Sequence, residues 1–508
     1  MKQLSGLDAS FLYLETGNTP MHIGSLAIYD QSTAPGGHVT FKSILEFFEK
    51  RLHKARAFRQ RIRRVPLSLD HPFWIEDPDF DLEFHVRHIA LPKPGDWRQL
   101  CIQAARLHAR PLDLSRPLWE AYVIEGLDNV KGVPKGSFAL VTKIHHAAID
   151  GVSGAEMAAA IHDLSPDAEV EEPLEEWTPD RLPTGVEMLT RSVGSNLRKP
   201  VKFGKLVYRS APSLGRVLAG LGTRQLKLPT GVPRTRFNGG VSPHRVFDGR
   251  KFSLDEVKAI KNSQPGTTLN DVVVSVCGGA MRKYLEAKNE LPAESMVAMA
   301  PMSVRSAEQR TTGGNLVTAM SLPVRSDIAD PLDRLHAVHE EADHAKKLTY
   351  TMGPDLAADA AEFLPSTMSG LLARAYATSR LAERAPPLFN TVITNVPGVN
   401  VPLYSMGSQM VSSYGLGPVY PGLGLFQPVL SYNGTLTISA VSDRDMMPDP
   451  GFYMECLTAS YDEMKKATIE RPAPKKKKAK KKAAKKKATK SASSRKKTNG
   501  AGDIQPGA

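Results

Sequence analysis

Features that mark secreted and membrane-spanning proteins are scarce in this sequence. Only three cysteines, Cys101, Cys277 and Cys456, occur among 508 residues, and their spacing forms no pair. Scattered cysteines are typical of a protein in a reducing compartment. No run of about 20 apolar residues is available to cross a bilayer, and the N-terminus lacks the basic and apolar regions of a secretory signal. We therefore expect a cytoplasmic protein, one that could rest peripherally on a membrane or lipid surface.

Two common catalytic signatures are absent as well. The sequence contains no Gly-x-Ser-x-Gly nucleophile motif, which argues against a covalent intermediate on serine. It also contains no glycine-rich loop of the kind that binds nucleotide phosphates. The length of 508 residues suffices for two or more domains, and 41% hydrophobic with 23% charged residues is typical of a globular protein.

Charge is missing from one long segment. Residues 385–442 contain no Asp, Glu, Lys, Arg or His, although Gly, Pro, Asn and Ser are frequent. The glycines and prolines interrupt the apolar stretches, so a membrane helix is not expected. The segment predicts a set of buried strands joined by tight turns, and this is compatible with its lining an apolar channel.

The basic character of the chain is concentrated at its end. The formal net charge is +13, but residues 471–508 hold 15 Lys and Arg against one acid, Asp503. The preceding 470 residues are close to neutral, with 51 basic and 52 acidic side chains. Residues 475–497 carry 14 positive charges and no acid, and such a segment is predicted to be disordered when free. We expect it to attract an anionic lipid surface, with nucleic acid, polyphosphate or a purely solubilising role as alternatives.

The most informative segment is Lys143–Gly151, with the sequence KIHHAAIDG. A predicted buried strand over 137–141 precedes it and a predicted helix over 154–161 follows it. Side chains at such a strand-to-helix turn can enter a cleft, where a neutral imidazole accepts a proton from an alcohol or thiol. His146 and Asp150 could also ligate a metal, but no third ligand is evident, and we expect none.

The remaining pattern is a mixed α/β layout in two halves. The predicted segments are 1–172 for the N-terminal half with the histidine motif, 173–240 for a proline-punctuated crossover, 241–470 for the C-terminal half and 471–508 for the tail. Predicted strands cover 22–29, 119–124 and 295–302, and predicted helices begin at 41, 270 and 332. Asn270 is predicted to cap the helix that runs to residue 286.

The order His-His-x-x-x-Asp-Gly resembles the motif of the CoA-dependent acyltransferase fold, which chloramphenicol acetyltransferase and the condensation domains of peptide synthetases share. Six further blocks resemble the bacterial wax ester synthase/acyl-CoA:diacylglycerol acyltransferase family and occur in family order. They are Leu4–Leu12, Pro20–Gly24, Pro117–Glu120, Asn270–Val273, Pro301–Arg305 with Gly313–Asn315, and Asn390–Gly398.

This resemblance implies two chloramphenicol acetyltransferase-like mixed-sheet halves. It also implies an O-acyltransferase that moves a long-chain fatty acyl group from acyl-CoA to diacylglycerol, a long-chain alcohol, or both. Acyl-CoA would be a substrate, no further cofactor is expected, and the protein would lie peripherally on membranes or lipid droplets. Two alternatives remain: the same fold acting on a sugar, polyketide or peptide acceptor, and a lipid-droplet or nucleoid binding protein that acts through its basic tail.

The resemblance also assigns roles to residues of the motif. His146 would be the general base, and His145 would support it by shaping the turn. Asp150 would be structural through a salt bridge to an arginine, for which Arg305 is one candidate. Gly151 would be structural too, because glycine leaves room for a ligand or an unusual dihedral angle. In this fold acyl-CoA and the acceptor would enter a tunnel from opposite mouths, and Asn270 would bring a polar group to that tunnel from the second half.

Overall fold

Two six-stranded mixed sheets and one small three-stranded sheet form the framework of the protein. The computed structural model describes residues 2–149, 153–169, 177–194, 196–197, 231–303, 317–352 and 385–470. Residues 1–470 belong to one compact unit. Asp150, Gly151, Arg305 and the basic tail lie outside the described residues, as does most of the predicted crossover.

The described elements alternate between strand and helix along most of the chain. The strands are β1 (Lys2–Gln3), β2 (His22–Asp30), β3 (Gln60–Arg63), β4 (Phe73–Glu76), β5 (Val86–Ala90), β6 (Trp119–Glu125), β7 (Phe138–His145), β8 (Arg245–Ser253), β9 (Val297–Ser303), β10 (Val317–Pro323), β11 (Thr391–Val396), β12 (Tyr404–Ser405), β13 (Ser408–Leu416), β14 (Leu425–Tyr432) and β15 (Thr435–Asp443). The helices are α1 (Gly6–Leu14), α2 (Phe41–Glu49), α3 (Leu82–His85), α4 (Trp97–His108), α5 (Ser153–Ala160), α6 (185–194), α7 (Leu254–Ser263), α8 (Leu269–Ala287), α9 (Pro331–Met352) and α10 (Pro450–Thr468).

The first large sheet has the strand order β12-β13-β2-β7-β6-β5. Its centre is the antiparallel pair β2 and β7, in which His22 lies directly opposite His145. Strands β12 and β13 come from the segment predicted as the C-terminal half, and β13 pairs antiparallel with β2. The first sheet therefore depends on a strand that the chain supplies almost 400 residues after β2.

The second large sheet has the order β10-β9-β11-β14-β15-β8. β11 runs parallel to both of its neighbours, whereas the other pairs in this sheet are antiparallel. Helices α8, α9 and α10 contribute to the apolar core that this sheet builds, with Val276, Leu335 and Leu457 fully buried. The mixed α/β fold with two sheet-rich halves confirms the fold class predicted from the sequence. The segment boundaries at residues 172 and 240 stay predictions.

The two large sheets are tied together by polar as well as apolar contacts. The Thr437 hydroxyl of β15 donates to the Ser413 carbonyl oxygen of β13 at 2.7 Å. The Trp97 indole N–H of α4 donates to Asp248 Oδ1 of β8 at 2.8 Å. A shared core cluster includes Leu26 from the first sheet and Val441 from the second. Because one cluster contains residues of both sheets, the two sheets share part of their apolar core.

The elements predicted around the motif are confirmed, and most extend further than predicted. β7 reaches His145 rather than ending at residue 141, and β2 begins at His22 as predicted. The uncharged segment 385–442 forms the largely buried strands β11 to β15, as predicted. No described helix is long and apolar enough to cross a membrane. All three cysteines are buried and free.

The predicted cap of α8 is wrong by two residues. The N-cap is Thr268, whose hydroxyl accepts from the Asp271 N–H at 3.2 Å while the Asp271 carboxylate accepts from the Thr268 N–H at 2.8 Å. This reciprocal capping box satisfies two N–H groups at once, which a lone Asn270 cap could not do. Asn270 instead lies in the first turn and is half-buried.

Candidate active site

The candidate site is built around the turn that follows β7. The strand ends at His145, and His146–Ala148 form a single 3₁₀ turn that leads toward α5. Backbone hydrogen bonds fix both histidines: His145 N–H donates to Leu118 O at 2.9 Å, and His146 N–H donates to Met21 O at 2.8 Å. Two of the sequence blocks thus supply the carbonyl groups that hold the turn.

Helix α1 packs against this turn and presents two side chains to it. The Phe11 ring stacks on the His146 ring, with centroids 3.9 Å apart and planes inclined by 15°. The Glu15 carboxylate, four residues further along, lies 3.2 Å from His145 Nε2. Glu15 is the C-cap residue directly after α1, one turn beyond Phe11, which is why the end of this helix reaches both histidines together.

Hydrogen bonds define which nitrogen of His145 carries the proton. The Ala147 N–H donates to His145 Nδ1 at 3.0 Å, so Nδ1 must be the unprotonated nitrogen of a neutral ring. Nε2 then carries the hydrogen and donates it to Glu15 Oε2. His145 is fully buried. The Glu15 carboxylate therefore fixes both the tautomer and the orientation of a ring that itself shapes the turn.

His146 sits in an apolar environment with one nitrogen covered. Its Nδ1 is buried and makes no hydrogen bond of normal geometry within the described residues, which leaves Nε2 as the nitrogen available to a substrate. Burial disfavours the imidazolium form and lowers the pKa of His146 to about 4, although its own backbone carbonyl opposes the shift. The ring is thus neutral across the physiological pH range.

A buried ion pair lies behind the motif on the same strand. Lys143 Nζ is 2.9 Å from Glu120 Oε2 on β6 and also donates to the Arg110 carbonyl oxygen at 3.0 Å. The Tyr122 hydroxyl donates to the same Glu120 oxygen at 2.8 Å. Lys143 has no exposed surface, and burial lowers its pKa. This network anchors β7 two residues before His145.

Two further histidines lie next to the motif but are committed to structure. His22 Nε2 donates to the His108 carbonyl oxygen at 2.6 Å, and His108 Nε2 donates to the Gly417 carbonyl oxygen at 2.9 Å. Burial lowers the pKa of His22 well below its ordinary value and that of His108 to about 3. Both rings are neutral and link β2, α4 and the segment after β13.

The structure brings together only part of the predicted site. His145 and His146 lie side by side and contact Glu15 and Phe11, respectively. Asp150, Gly151 and Arg305 lie outside the described residues, so their roles stay predictions. The Asn270 side chain makes no hydrogen bond within the described part of the chain, and its role at the tunnel also stays a prediction. Among the described residues, no cluster of three His, Cys, Asp or Glu could hold a metal ion.

The roles of Phe11 and Glu15 do not follow from the sequence. Phe11 belongs to the family block Leu4–Leu12, and its spacing of four residues from Glu15 is compatible with one helix face. Nothing in the sequence indicates that this face meets a turn 130 residues later. Only the packing of α1 on the histidine turn reveals the contact.

The two-sheet architecture with a histidine turn at its centre defines the class of the protein, the CoA-dependent acyltransferase fold. A trichothecene 15-O-acetyltransferase from Fusarium sporotrichioides has the same fold with a TM-score of 0.56 and 12% identity, covering 91% of this chain and 94% of that one. A wax ester synthase/diacylglycerol acyltransferase from Marinobacter aquaeolei VT8 matches with a TM-score of 0.62 and 25% identity, covering 91% and 98%.

Sequence comparison gives the particular family. Residues 4–273 match the wax ester synthase/diacylglycerol acyltransferase catalytic domain, and residues 313–465 match the C-terminal domain of the same family. Two Mycobacterium tuberculosis proteins named as diacylglycerol O-acyltransferases are each 35% identical. One aligns over 454 residues, which are 88% of this chain and 87% of the relative; the other aligns over 486 residues, 94% and 99%.

The chain belongs to the wax ester synthase/diacylglycerol acyltransferase family. The predicted family is confirmed, and so is the predicted enzyme class, an acyl-CoA-dependent O-acyltransferase.

Proposed function

We propose that this protein transfers a long-chain acyl group from acyl-CoA to the hydroxyl group of diacylglycerol or a long-chain alcohol, with His146 as general base. The observation that carries the assignment is the state of the His146 ring. It is neutral, stacked on Phe11, covered at Nδ1 and available at Nε2. A general base needs this combination of a fixed orientation and a free lone pair.

The proton balance of the reaction follows from this geometry. The acceptor oxygen attacks the thioester carbonyl carbon while His146 Nε2 takes the hydroxyl proton. The C–S bond then breaks, and the departing CoA thiolate takes the proton from the imidazolium. Because burial makes that imidazolium unusually acidic, the return of the proton to sulfur is favoured. No acyl-enzyme is required, and the base is regenerated in each turnover.

The choice of acceptor is tested by product analysis. Purified full-length protein is incubated with palmitoyl-CoA and either dipalmitoylglycerol or hexadecanol, and the esters are separated and quantified. We expect CoA release that equals the ester formed with at least one of these acceptors. No ester from either lipid, with acylation of a sugar, polyketide or peptide acceptor instead, would contradict the proposal.

We assign Glu15 a positioning role that acts through His145. Replacing Glu15 by alanine removes the acceptor for His145 Nε2–H, and the ring can then change tautomer or rotate away from the Ala147 N–H. Small displacements of a catalytic turn lower rates by up to about 100-fold. We expect Glu15→Ala to lower kcat roughly 10- to 100-fold with KM for acyl-CoA little changed.

The matched variant Glu15→Gln separates geometry from charge. Its amide oxygen can still accept the hydrogen bond from His145, so most of the activity should return. If Glu15→Gln were as slow as Glu15→Ala, the negative charge rather than the tautomer would be the essential contribution. Wild-type activity in Glu15→Ala would show that Glu15 does not position His145 for catalysis.

The pH dependence of kcat/KM reports the state of His146 in the free enzyme. Only the neutral ring accepts a proton, and with a pKa of about 4 the neutral form dominates from pH 8 down to pH 5. We expect a plateau over this range and a loss of about tenfold per pH unit below the pKa. Reassay at pH 7 after acid exposure controls for unfolding. A decline that begins near pH 6.5, the ordinary histidine pKa, would contradict the assigned environment.

We further propose that residues 475–497 attract the protein to anionic lipid, which would place a cytoplasmic enzyme peripherally at membranes or lipid droplets. Each basic residue near such a surface contributes about 1 kcal/mol, and salt screens the attraction. Deletion of residues 471–508 is expected to weaken co-sedimentation with anionic vesicles at low salt, with turnover on dispersed substrate preserved. Equal binding by both forms at low salt would contradict this role, and loss of vesicle binding on addition of DNA would identify nucleic acid as a competing partner.

A further inference from the structure

An exposed apolar patch is formed by the turn after β3 and by α6 with the residues that follow it. It consists of Leu67, Leu69, Val186, Val193 and Leu197, whose relative exposures are 82%, 42%, 72%, 53% and 76%. Single exposed leucines are common on protein surfaces, but a group of five in one place marks an interaction site.

The first part of the patch is a turn that holds leucine outward. Leu67 and Ser68 both have positive φ angles, 57° and 53°, a backbone region that favours glycine or asparagine. The Ser68 N–H donates to the Val65 carbonyl oxygen at 2.9 Å, which closes the turn. A leucine that is kept in a disfavoured backbone conformation with its side chain in solvent points to an interaction of that side chain with a partner surface.

The second part of the patch is the outer face of α6. Val186, Thr190 and Val193 of α6 follow the spacing of one helical stripe, Leu197 of the helical residues 196–197 continues that spacing, and all four are exposed. The opposite face packs inward, where buried Met188 contacts the cluster around Val65 and Phe73. α6 therefore has two apolar faces, of which only the inner one is covered by the described residues.

The turn and the helix form one continuous surface. The Asn196 side-chain amide donates to the Leu69 carbonyl oxygen at 3.0 Å, which joins the end of the helix to the turn. Arg64 and Arg191, on the turn side and on the helix, are exposed and make no ion pair within the described residues. The acidic side chain of Glu187 is neutralised by Arg181 at 2.5 Å. The fringe of the patch is thus basic.

The patch is connected to the active site through the small sheet. Strands β3 and β4 flank the turn, and Ile62 of β3 belongs to the apolar cluster that contains Ala147 of the histidine turn. Leu67 is five positions after Ile62, and an extended chain covers at most about 18 Å over five residue steps. Leu67 therefore lies within about 18 Å of an apolar cluster that also contains a residue of the histidine turn.

We propose that this apolar patch docks the enzyme on the lipid surface that holds its acceptor, an inference that rests on the proposed function. Its apolar side chains are aliphatic, without the tryptophan and tyrosine that dominate protein interfaces. Its basic fringe complements the anionic head groups of a membrane or droplet surface. The acceptor and the product are themselves apolar lipids, so a surface of this chemistry would be present wherever the enzyme acts.

The test compares two matched double variants of the full-length chain. Leu67→Asn with Leu197→Asn removes the two most exposed leucines of the patch, and asparagine tolerates the positive φ at position 67. Leu164→Asn with Leu388→Asn removes two leucines of similar exposure, 75% and 77%, from outside the patch. Binding is measured by co-sedimentation with phosphatidylcholine vesicles containing diacylglycerol, in about 1 M salt, where the attraction of the tail is screened.

We expect the patch variant to lose at least about 10-fold in vesicle partitioning, because each leucine buries several methylene groups, and the control variant to bind like wild type. The ratio of turnover on vesicle-borne diacylglycerol to turnover on a dispersed short-chain alcohol should fall in parallel.

Unchanged vesicle binding by the patch variant would overturn the proposal. If vesicle binding is unchanged but the patch variant changes from dimer to monomer, a second copy of the chain covers the patch. If vesicle binding is unchanged but the melting temperature falls, another segment of the same chain, such as residues 198–230, covers it. If the patch variant loses binding while wild type acylates neither lipid acceptor, the docking surface stands and the proposed acceptor fails.

Discussion

Replacement of His146 by alanine is expected to slow acyl transfer by about 10² to 10⁴-fold while leaving the fold intact. A positioned general base contributes rate enhancements of this size, and no other described side chain at the turn offers a free, neutral nitrogen. The backbone anchors of the turn, to Met21 and Leu118, do not involve the imidazole and should persist. The measurement is kcat for palmitoyl-CoA with the preferred acceptor, together with the thermal unfolding curve.

The matched control for this experiment is His38→Ala. His38 is an exposed histidine in a loop, so its loss should change neither rate nor stability. A folded His146→Ala enzyme that retains near-normal turnover would show that another group removes the proton, and the assignment of His146 would then be wrong.

Breaking the buried pair between Glu120 and Lys143 is expected to destabilise the protein by about 3–5 kcal/mol. Glu120→Leu leaves the Lys143 ammonium group buried without its counter-ion, and an uncompensated buried charge is strongly unfavourable. Because Lys143 is two residues from His145 on β7, activity should fall together with stability. The free energy of unfolding is measured by chemical denaturation.

The double variant Glu120→Leu with Lys143→Met provides the control. It removes both charges and replaces them with apolar side chains of similar size, so most of the lost stability should return. If the loss of unfolding free energy in the double variant equals the sum of the losses in Glu120→Leu and Lys143→Met alone, the two side chains are not coupled. This ion pair would then not be what holds β7 in place.

The sequence predicted the local elements around the site well, because each depends on neighbouring residues. The apolar run before His145 predicts a strand, and the small residues after Gly154 predict a helix; the structure has β7 and α5 at these places. The insertion of β13 beside β2 could not be predicted, because that pairing joins residues almost 400 positions apart. The same limit applies to Glu15 and Phe11, whose partners lie in a distant turn.

Asn270 illustrates a second limit of sequence patterns. Asparagine before an apolar helix is a good N-cap, but Thr268 and Asp271 form a reciprocal capping box that satisfies the helix start better. Two plausible caps within three residues cannot be ranked without the backbone geometry. By contrast, the uncharged segment 385–442 could be predicted as buried strands, because its frequent glycines and prolines leave no apolar run long enough for a membrane helix.

Direct transfer without an acyl-enzyme can be distinguished from a covalent mechanism by CoA release in the absence of acceptor. Purified protein is mixed with excess palmitoyl-CoA alone; free CoA is measured over time, and the mass of the intact protein is determined. We expect no burst of CoA and an unmodified protein, followed by CoA release equal to ester once diacylglycerol or hexadecanol is added. A burst of one CoA per enzyme with a palmitoyl adduct on the protein would contradict it, because His146 would then serve a covalent intermediate rather than the acceptor alcohol.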